Sequence, residues 1–323
     1  MQTENNLNDL ILYDTGKTFT TIFGNPRFSF PEGVIRVSAG AGGESILVWG
    51  DEKTALLDCG MAYSAKGLIH NIRVVLSQLS EQTGRACTLD YILATHTHYD
   101  HIGGLSAVRL AWPEACVCAG AYAANVFSRP GAFALMKKMS LAAAKLYAGM
   151  DMLEMDFDAM QVDRIVREGD RIDLGGRSFL VFETPGHTNC SVSYALEPDR
   201  LFFINESMGC LIGDHQVISN VLKSYADAFA SIEKCRAYDA DALVVPHSGV
   251  VDQAHIEEYW NILLEEMNEK IAFVKSRQDL PEEEILEAFM SYYWEHSRGD
   301  DVEQPYEAFA ENAVHEVRAA LEY

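Results

Sequence analysis

The sequence is poor in basic residues, and this shortage limits what the protein can bind. Only 25 lysines and arginines stand against 48 aspartates and glutamates, so the formal net charge is −23. Such a field repels a phosphate backbone unless a basic patch overrides it, and no run of basic residues is visible. The composition therefore argues against a nucleic-acid partner. It leaves room for a small anionic substrate, because one basic side chain in a pocket can hold such a molecule.

Long apolar runs and closely paired cysteines are missing as well. No stretch of about 18 consecutive apolar residues occurs, so we expect no membrane span. The polar start, residues 1–8, lacks the basic and apolar segments of a signal peptide. Seven cysteines make an odd count without a C-x-x-C pair, which predicts reduced and mostly buried thiols rather than a disulfide framework. We therefore expect a cytoplasmic protein.

Hydrophobic residues make up 48% of the chain, which is enough for a sizeable core. Their pattern predicts strands first, then alternating strands and helices. The segment 131–160 is rich in alanine, methionine, leucine and lysine, which indicates a helical insert. After residue 250, apolar residues recur at helical spacing. We therefore expect an α/β catalytic domain over residues 1–250 and a helical extension over residues 251–323, with two sheets flanked by helices.

The residues that carry chemistry are concentrated directly after the apolar strand at 91–94. The segment runs Thr95-His96-Thr97-His98-Tyr99-Asp100-His101-Ile102-Gly103-Gly104. Residues two apart in an extended chain face the same side, so His96 and His98 can bind one ion. Asp100 and His101 diverge as the chain enters a helix, which suits a second ion nearby. Imidazole and carboxylate suit zinc, iron or manganese. A helix cap and surface histidines are the alternative, but so dense a cluster of ligand types argues against it.

This H-x-H-x-D-H pattern resembles the signature of the metallo-β-lactamase superfamily, and further elements of that family follow in its order over residues 33–250. They are Leu56-Leu57-Asp58-Cys59-Gly60, Thr184-Pro185-Gly186-His187-Thr188 and Val244-Val245-Pro246-His247-Ser248-Gly249. The resemblance implies a four-layer αββα sandwich with the helical insert and the C-terminal helical extension. It also implies that His187 and His247 complete the metal ligands, and that Asp58 supports the site by hydrogen bonding.

One position departs from the family pattern. Many members carry Gly-Asp after a Leu-Phe strand, and that aspartate bridges both metals. Here the strand Leu201-Phe202-Phe203-Ile204 continues into Asn205-Glu206, so Glu206 takes the aspartate's place. We predict that Glu206 is a ligand, either bridging both metals or bound to one of them. The alternative is an outward carboxylate with a weakened second site. No cysteine is predicted at a ligand position.

The resemblance implies a cofactor of two divalent metal ions, with zinc favoured and iron or manganese as alternatives. Two cations that share a water lower its pKa, so we expect a metal-bound hydroxide to attack an ester-type bond. Asp100 is the predicted catalytic residue, since it would bind metal and orient the nucleophile or accept its proton. The layout is similar to glyoxalase II and to 2-aminobenzoylacetyl-CoA thioesterase, which favours a small-molecule thioester as substrate.

Several alternatives stay open. A lactone or a phosphodiester would suit the same chemistry. Iron-containing members of the superfamily use oxygen in redox reactions, and a regulatory binding protein with a vestigial site is a third class. The apolar faces of the helical extension predict either a cap over the pocket or the interface of a homodimer.

Overall fold

The structure is a computed structural model that describes residues 20–22, 30–213, 215–247, 249–296 and 306–323. The first eight residues, on which the prediction of a cytoplasmic protein depends, lie outside the described residues. Ser248 of the last histidine motif lies outside them too. None of the described helices is both long and apolar enough to cross a membrane.

Fifteen strands are present in the described residues. They are β1 (Thr20–Ile22), β2 (Val34–Arg36), β3 (Ile46–Trp49), β4 (Thr54–Leu57), β5 (Tyr91–Leu93), β6 (Cys116–Gly120), β7 (Arg164–Val166), β8 (Arg171–Asp173), β9 (Ser178–Glu183), β10 (Val192–Glu197), β11 (Leu201–Phe203), β12 (Cys210–Gly213), β13 (Gln216–Ile218), β14 (Ala242–Val245) and β15 (Gly249–Asp252). The helices are α1 (Ala65–Thr83), α2 (Tyr99–Ile102), α3 (Leu105–Ala111), α4 (Ala121–Phe127), α5 (Pro130–Ala148), α6 (Tyr225–Arg236), α7 (Ile256–Lys275), α8 (Glu282–His296) and α9 (Tyr306–Glu322).

Two large sheets carry most of the strands. One has six strands in the order β2-β3-β4-β5-β6-β7, and the other has seven in the order β1-β15-β14-β11-β10-β9-β8. In the first sheet β4, β5 and β6 run parallel, and in the second β11 and β14 run parallel. The carboxyl ends of parallel neighbours meet at one edge of a sheet, where ligands commonly bind. In each sheet this edge carries predicted site residues.

The described chain divides into two compact units. The first comprises residues 30–181 and 196–199, and it contains the six-stranded sheet with helices α1 to α5. Its core is built from strands β3 and β4, which are buried along their whole length, and from the buried face of α1. The second comprises residues 20–22 and 182–195 and the described residues from 200 onward, with helices α6 to α9.

The structure corrects several sequence-based expectations. The helix of the predicted insert 131–160 ends at Ala148, where Gly149 adopts a left-handed conformation with φ of 62°. Residues 149–163 contain neither helix nor strand. Strands β12, β13 and β15 were not expected, and β15 crosses the predicted domain boundary at residue 250. These strands are three or four residues long, too short for a period of two to stand out from the surrounding sequence.

The helical extension is confirmed from Ile256 onward. Its apolar stripes are buried within the chain itself, since α7 buries Tyr259, Trp260 and Met267, and α9 buries Phe309 and Val317. Packing inside the second unit therefore buries these apolar residues.

Candidate metal centre

The parallel pair β4 and β5 positions the first part of the site. Asp58 follows β4 directly, with φ of 51°, and the segment from Thr95 follows β5. The Asp58 carboxylate accepts two hydrogen bonds from Thr95, one from the backbone N–H at 2.8 Å and one from the hydroxyl at 2.7 Å. Burial raises the pKa of Asp58, and its hydrogen bonds to His101 and Thr95 only partly offset this. Asp58 therefore holds the start of the histidine segment, as a supporting residue should.

Asp58 also orients His101. The Nδ1 atom of this histidine lies 2.8 Å from Oδ2 of Asp58, and both side chains are almost fully buried. Because a carboxylate only accepts hydrogen bonds, Nδ1 of His101 carries the proton and Nε2 presents its lone pair. Histidine ligands are commonly fixed in this way by a carboxylate behind the ring. Nε2 also lies 3.7 Å from Oδ2 of Asp100.

Two glycines allow the histidine segment to lie this close to β4. Gly103 and Gly104 separate helix α2 from helix α3. A Cβ on Gly104 would lie 2.4 Å from the carbonyl oxygen of Cys59, and one on Gly103 would lie 2.8 Å from the backbone nitrogen of Ala62. Any side chain at these positions would push the segment away from the strand, so the glycine pair permits this close approach.

His96 has its ring fixed by a neighbouring hydroxyl. Its Nδ1 lies 3.1 Å from Oγ1 of Thr95, and the Thr95 proton is already donated to Asp58. Oγ1 can therefore only accept, so Nδ1 of His96 donates and Nε2 keeps its lone pair. The ring centroid of His96 lies 4.7 Å from that of His98 and 4.2 Å from that of His101. Three imidazoles so close together are the pattern of a metal site rather than of an apolar core.

His187 is positioned by the second unit. It is 1% exposed, its backbone N–H donates to Oγ of Ser207 at 2.9 Å, and its Nδ1 lies 2.6 Å from the carbonyl oxygen of Asn220. A carbonyl only accepts, so Nδ1 is the protonated nitrogen here as well. Gly186 before it has φ of 142° and lies against α6, where a Cβ would come within 2.7 Å of Cβ of Ala228.

Glu206 follows β11, and His247 follows the parallel strand β14. Oε1 of Glu206 lies 3.0 Å from Nε2 of His247, and Glu206 is 1% exposed. Glu206 begins a 3-10 turn whose start is fixed by Asn205: the Asn205 side chain accepts from the backbone N–H of Ser207 at 2.9 Å. The alternative of an outward carboxylate at position 206 is wrong, because this side chain is buried beside a histidine.

Potential ligand atoms cluster within the second unit. Glu206, Cys210 and His247 each offer one such atom, and these atoms lie no more than 4.8 Å apart.

Cys210 is a potential ligand that sequence reasoning missed. It directly follows Gly209, at the end of the turn that begins with Glu206, and no strand was predicted there. None of the seven cysteines, all of which lie in the described residues, forms a disulfide bond, and five of them are buried. In the sequence, only the position of Cys210 four residues after Glu206 could have indicated that it is a candidate ligand.

Comparison with known proteins identifies the family. The model of the metallo-β-lactamase superfamily matches residues 40–247, more than half of the chain. The chain therefore belongs to this superfamily, as the H-x-H-x-D-H pattern predicted, and it has the metallo-β-lactamase fold, with two sheets flanked by helices and a C-terminal helical region. A metallo-β-lactamase family protein from Thermus thermophilus has the same fold, with a TM-score of 0.60 at 19% identity over 91% of this chain and 94% of that one.

The chain is also similar to curated hydrolases. It is 29% identical over 126 residues to a hydroxyacylglutathione hydrolase of Rhodospirillum rubrum, which covers 38% of this chain. It is 31% identical over 141 residues to the hydroxyacylglutathione hydrolase of Photobacterium profundum, which covers 42% of it. The chain spans only 36% and 40% of the lengths of these two relatives.

Proposed function

We propose that this protein is a hydrolase with two divalent metal ions that cleaves an ester-type bond of a small molecule, with a thioester as the favoured substrate. The observation that carries the proposal is the set of histidines whose Nδ1 atoms are held by Thr95, Asp58 and Asn220. Holding Nδ1 in this way leaves Nε2 as the ligand atom of each ring. Core histidines have no need of such uniform orientation.

The residues present fit such a metal pair. We assign His96, His98 and His187 to one ion, and Asp100, His101 and His247 to the other. Glu206 is the carboxylate that can bridge them or bind one of them. Imidazole and carboxylate donors suit zinc, which we favour, and they also suit iron and manganese.

When bound, two divalent cations supply Lewis acidity that lowers the pKa of water and polarises a carbonyl group. The chain contributes the orientation of the donors and a carboxylate that can take up a proton. Asp100 suits the latter role, because its side chain is 17% exposed and lies 3.7 Å from Nε2 of His101, whereas the side chain of Glu206 is only 2% exposed. We therefore assign Asp100 as the residue that orients the attacking water or accepts its proton.

The thioester is favoured by the similarity to hydroxyacylglutathione hydrolases. Because the chain has a net charge of −23, an anionic substrate needs a nearby positive group in order to bind. Lactones and phosphodiesters have the same electrophilic character at carbon or phosphorus, so they belong in the substrate panel. Oxygen consumption tests the iron-dependent redox class, and full metal content without turnover would indicate a regulatory protein. A homodimer stays a prediction that the mass in solution tests.

The test begins with the metal content of the purified full chain, followed by turnover of thioester, lactone and phosphodiester substrates before and after chelation. We expect hydrolysis to be lost with the metal and restored by zinc. Asp100→Ala and His187→Ala should abolish it, whereas His70→Ala, on the exposed face of α1, should leave it unchanged. Full turnover in metal-free protein would refute the proposal.

A further inference from the structure

Cys210 lies where a soft ligand would meet two of the predicted metal ligands. Its Sγ, a carboxylate oxygen of Glu206 and a ring nitrogen of His247 lie within 4.8 Å of one another. Cys210 is 6% exposed and Glu206 is 1% exposed, so neither group is a solvated surface side chain. The three donors belong to one compact unit of the chain.

The backbone holds this thiol at Glu206. The turn closes through a hydrogen bond from the N–H of Gly209 to the carbonyl of Glu206, at 3.1 Å. Gly209 has φ of 83°, a conformation that suits glycine, and this residue redirects the chain into β12. From α7, the hydroxyl of Tyr259 donates to the carbonyl of Met208 at 2.5 Å and fixes the same turn. The turn therefore places the thiol of Cys210 close to the carboxylate of Glu206.

The chemistry of the three donors points to a cation between them. A divalent ion between the thiol and the carboxylate can bind both groups, because it accepts sulfur and oxygen donors alike. Thiolate, carboxylate and imidazole are all zinc ligands, and a thiolate favours zinc, cobalt or cadmium over magnesium or calcium.

We propose that Cys210 is a thiolate ligand of the metal ion held by Glu206 and His247. The inference rests on the proposed function, because it needs a metal at this site. On binding, the S–H bond breaks, its proton passes to solvent, and a sulfur–metal bond forms. The ion bound by Cys210 and His247 then differs from the ion held by His96, His98 and His187, and it prefers thiophilic metals.

X-ray absorption at the zinc edge tests this on the wild-type full chain, chelated and then reloaded with zinc. We expect a sulfur neighbour at about 2.3 Å, with roughly half a sulfur per zinc when two ions are bound. Two bound zincs without a sulfur neighbour would overturn the role of Cys210 and leave the proposed function standing. A chain that binds no zinc would overturn both.

Cobalt loading of variants gives the second readout. Wild-type protein should show a thiolate-to-cobalt charge-transfer band in the near ultraviolet, and Cys210→Ser should lose that band. Cys235→Ser is the matched control, because Cys235 is buried on α6 and belongs to none of the ligand sets found among the described residues. The control should keep the band. A band that persists in Cys210→Ser would exclude Cys210 as the sulfur donor, and a variant that fails to fold leaves the wild-type absorption measurement to decide.

Discussion

Lys270 on α7 is a buried cation whose removal should destabilise the helical extension strongly. Its Nζ lies 2.8 Å from Oε2 of Glu316 on α9, 2.7 Å from the carbonyl oxygen of Ser219 and 3.2 Å from Oε1 of Glu266. Lys270 is 4% exposed and Glu316 is 7% exposed. Burial lowers the pKa of Lys270, but the two glutamates outweigh this and raise it above its ordinary value. The lysine is therefore charged in the folded protein.

The perturbation is Lys270→Met, which keeps the length of the side chain and removes its charge. Glu316 then remains buried without its cation, which typically costs about 3–5 kcal/mol. Ser219 also loses a hydrogen bond to its carbonyl, worth about 1 kcal/mol. The total stability of a folded domain is roughly 5–15 kcal/mol, so we expect a large fall in the free energy of unfolding at neutral pH.

The loss should shrink on acidification. Burial raises the pKa of Glu316, and Lys270 is the main group that lowers it, so the substitution raises this pKa further. Around the raised pKa the folded variant then binds a proton that the unfolded chain does not bind. Stability conferred by that proton is present at low pH and is lost as the pH rises through the folded-state pKa. The double variant Lys270→Met with Glu316→Gln, which removes the stranded charge, should recover most of the loss at neutral pH.

Urea unfolding followed by circular dichroism measures these differences. The control is Arg318→Met, because Arg318 pairs with Glu282 at 2.7 Å between α9 and α8 but both side chains are about half exposed. We expect this exposed pair to contribute less than about 1 kcal/mol. A Lys270→Met variant as stable as the control, or a double variant no more stable than the single one, would show that Glu316 is not left with an uncompensated charge.

Two further predictions concern the metal centre. Asp58→Asn places an amide N–H group where the carboxylate accepts a hydrogen bond from Nδ1 of His101, and this favours the wrong tautomer of the histidine. Metal affinity, measured by competition with a chelator, should then fall about 10- to 100-fold. Unchanged affinity would contradict the role of Asp58. Gly186→Ala adds a Cβ 2.7 Å from Cβ of Ala228, at a residue with φ of 142°. This substitution should lower the free energy of unfolding by about 1–3 kcal/mol. The control Gly131→Ala, where the added Cβ has open space around it, should not lower it.

The family and the densest group of candidate metal ligands could be predicted from the sequence because they depend on local features. His96, His98, Asp100 and His101 lie within six positions after an apolar strand, and the short range of that pattern fixes both their spacing and their ligand type. The larger helices were predictable for the same reason, since an amphipathic period repeats several times in α1 and α7. Such a repeated amphipathic pattern can be recognised without knowledge of contacts between distant residues.

The supporting contacts could not be predicted in this way, because each joins residues far apart in the chain. Asp58 lies 43 positions before His101, and the carbonyl of Asn220 lies 33 positions after His187. A backbone carbonyl carries no residue-specific signal at all. The short strands β12 and β15 were missed because their formation depends on pairing with β13 and β14 rather than on their own sequence.

The sequence by itself therefore determined which donor atoms this protein has for a metal and at which strand end the densest group of them begins. Only the tertiary structure decided that Nδ1 of His96, His101 and His187 is held by a hydrogen bond, that Glu206 is buried, and that Cys210 lies close to it. The physical reason is that a tautomer, the burial of a carboxylate and the position of a thiol after a turn are set by neighbours in space. Within each sheet, parallel strands bring such neighbours together by placing their carboxyl ends at the same edge of that sheet.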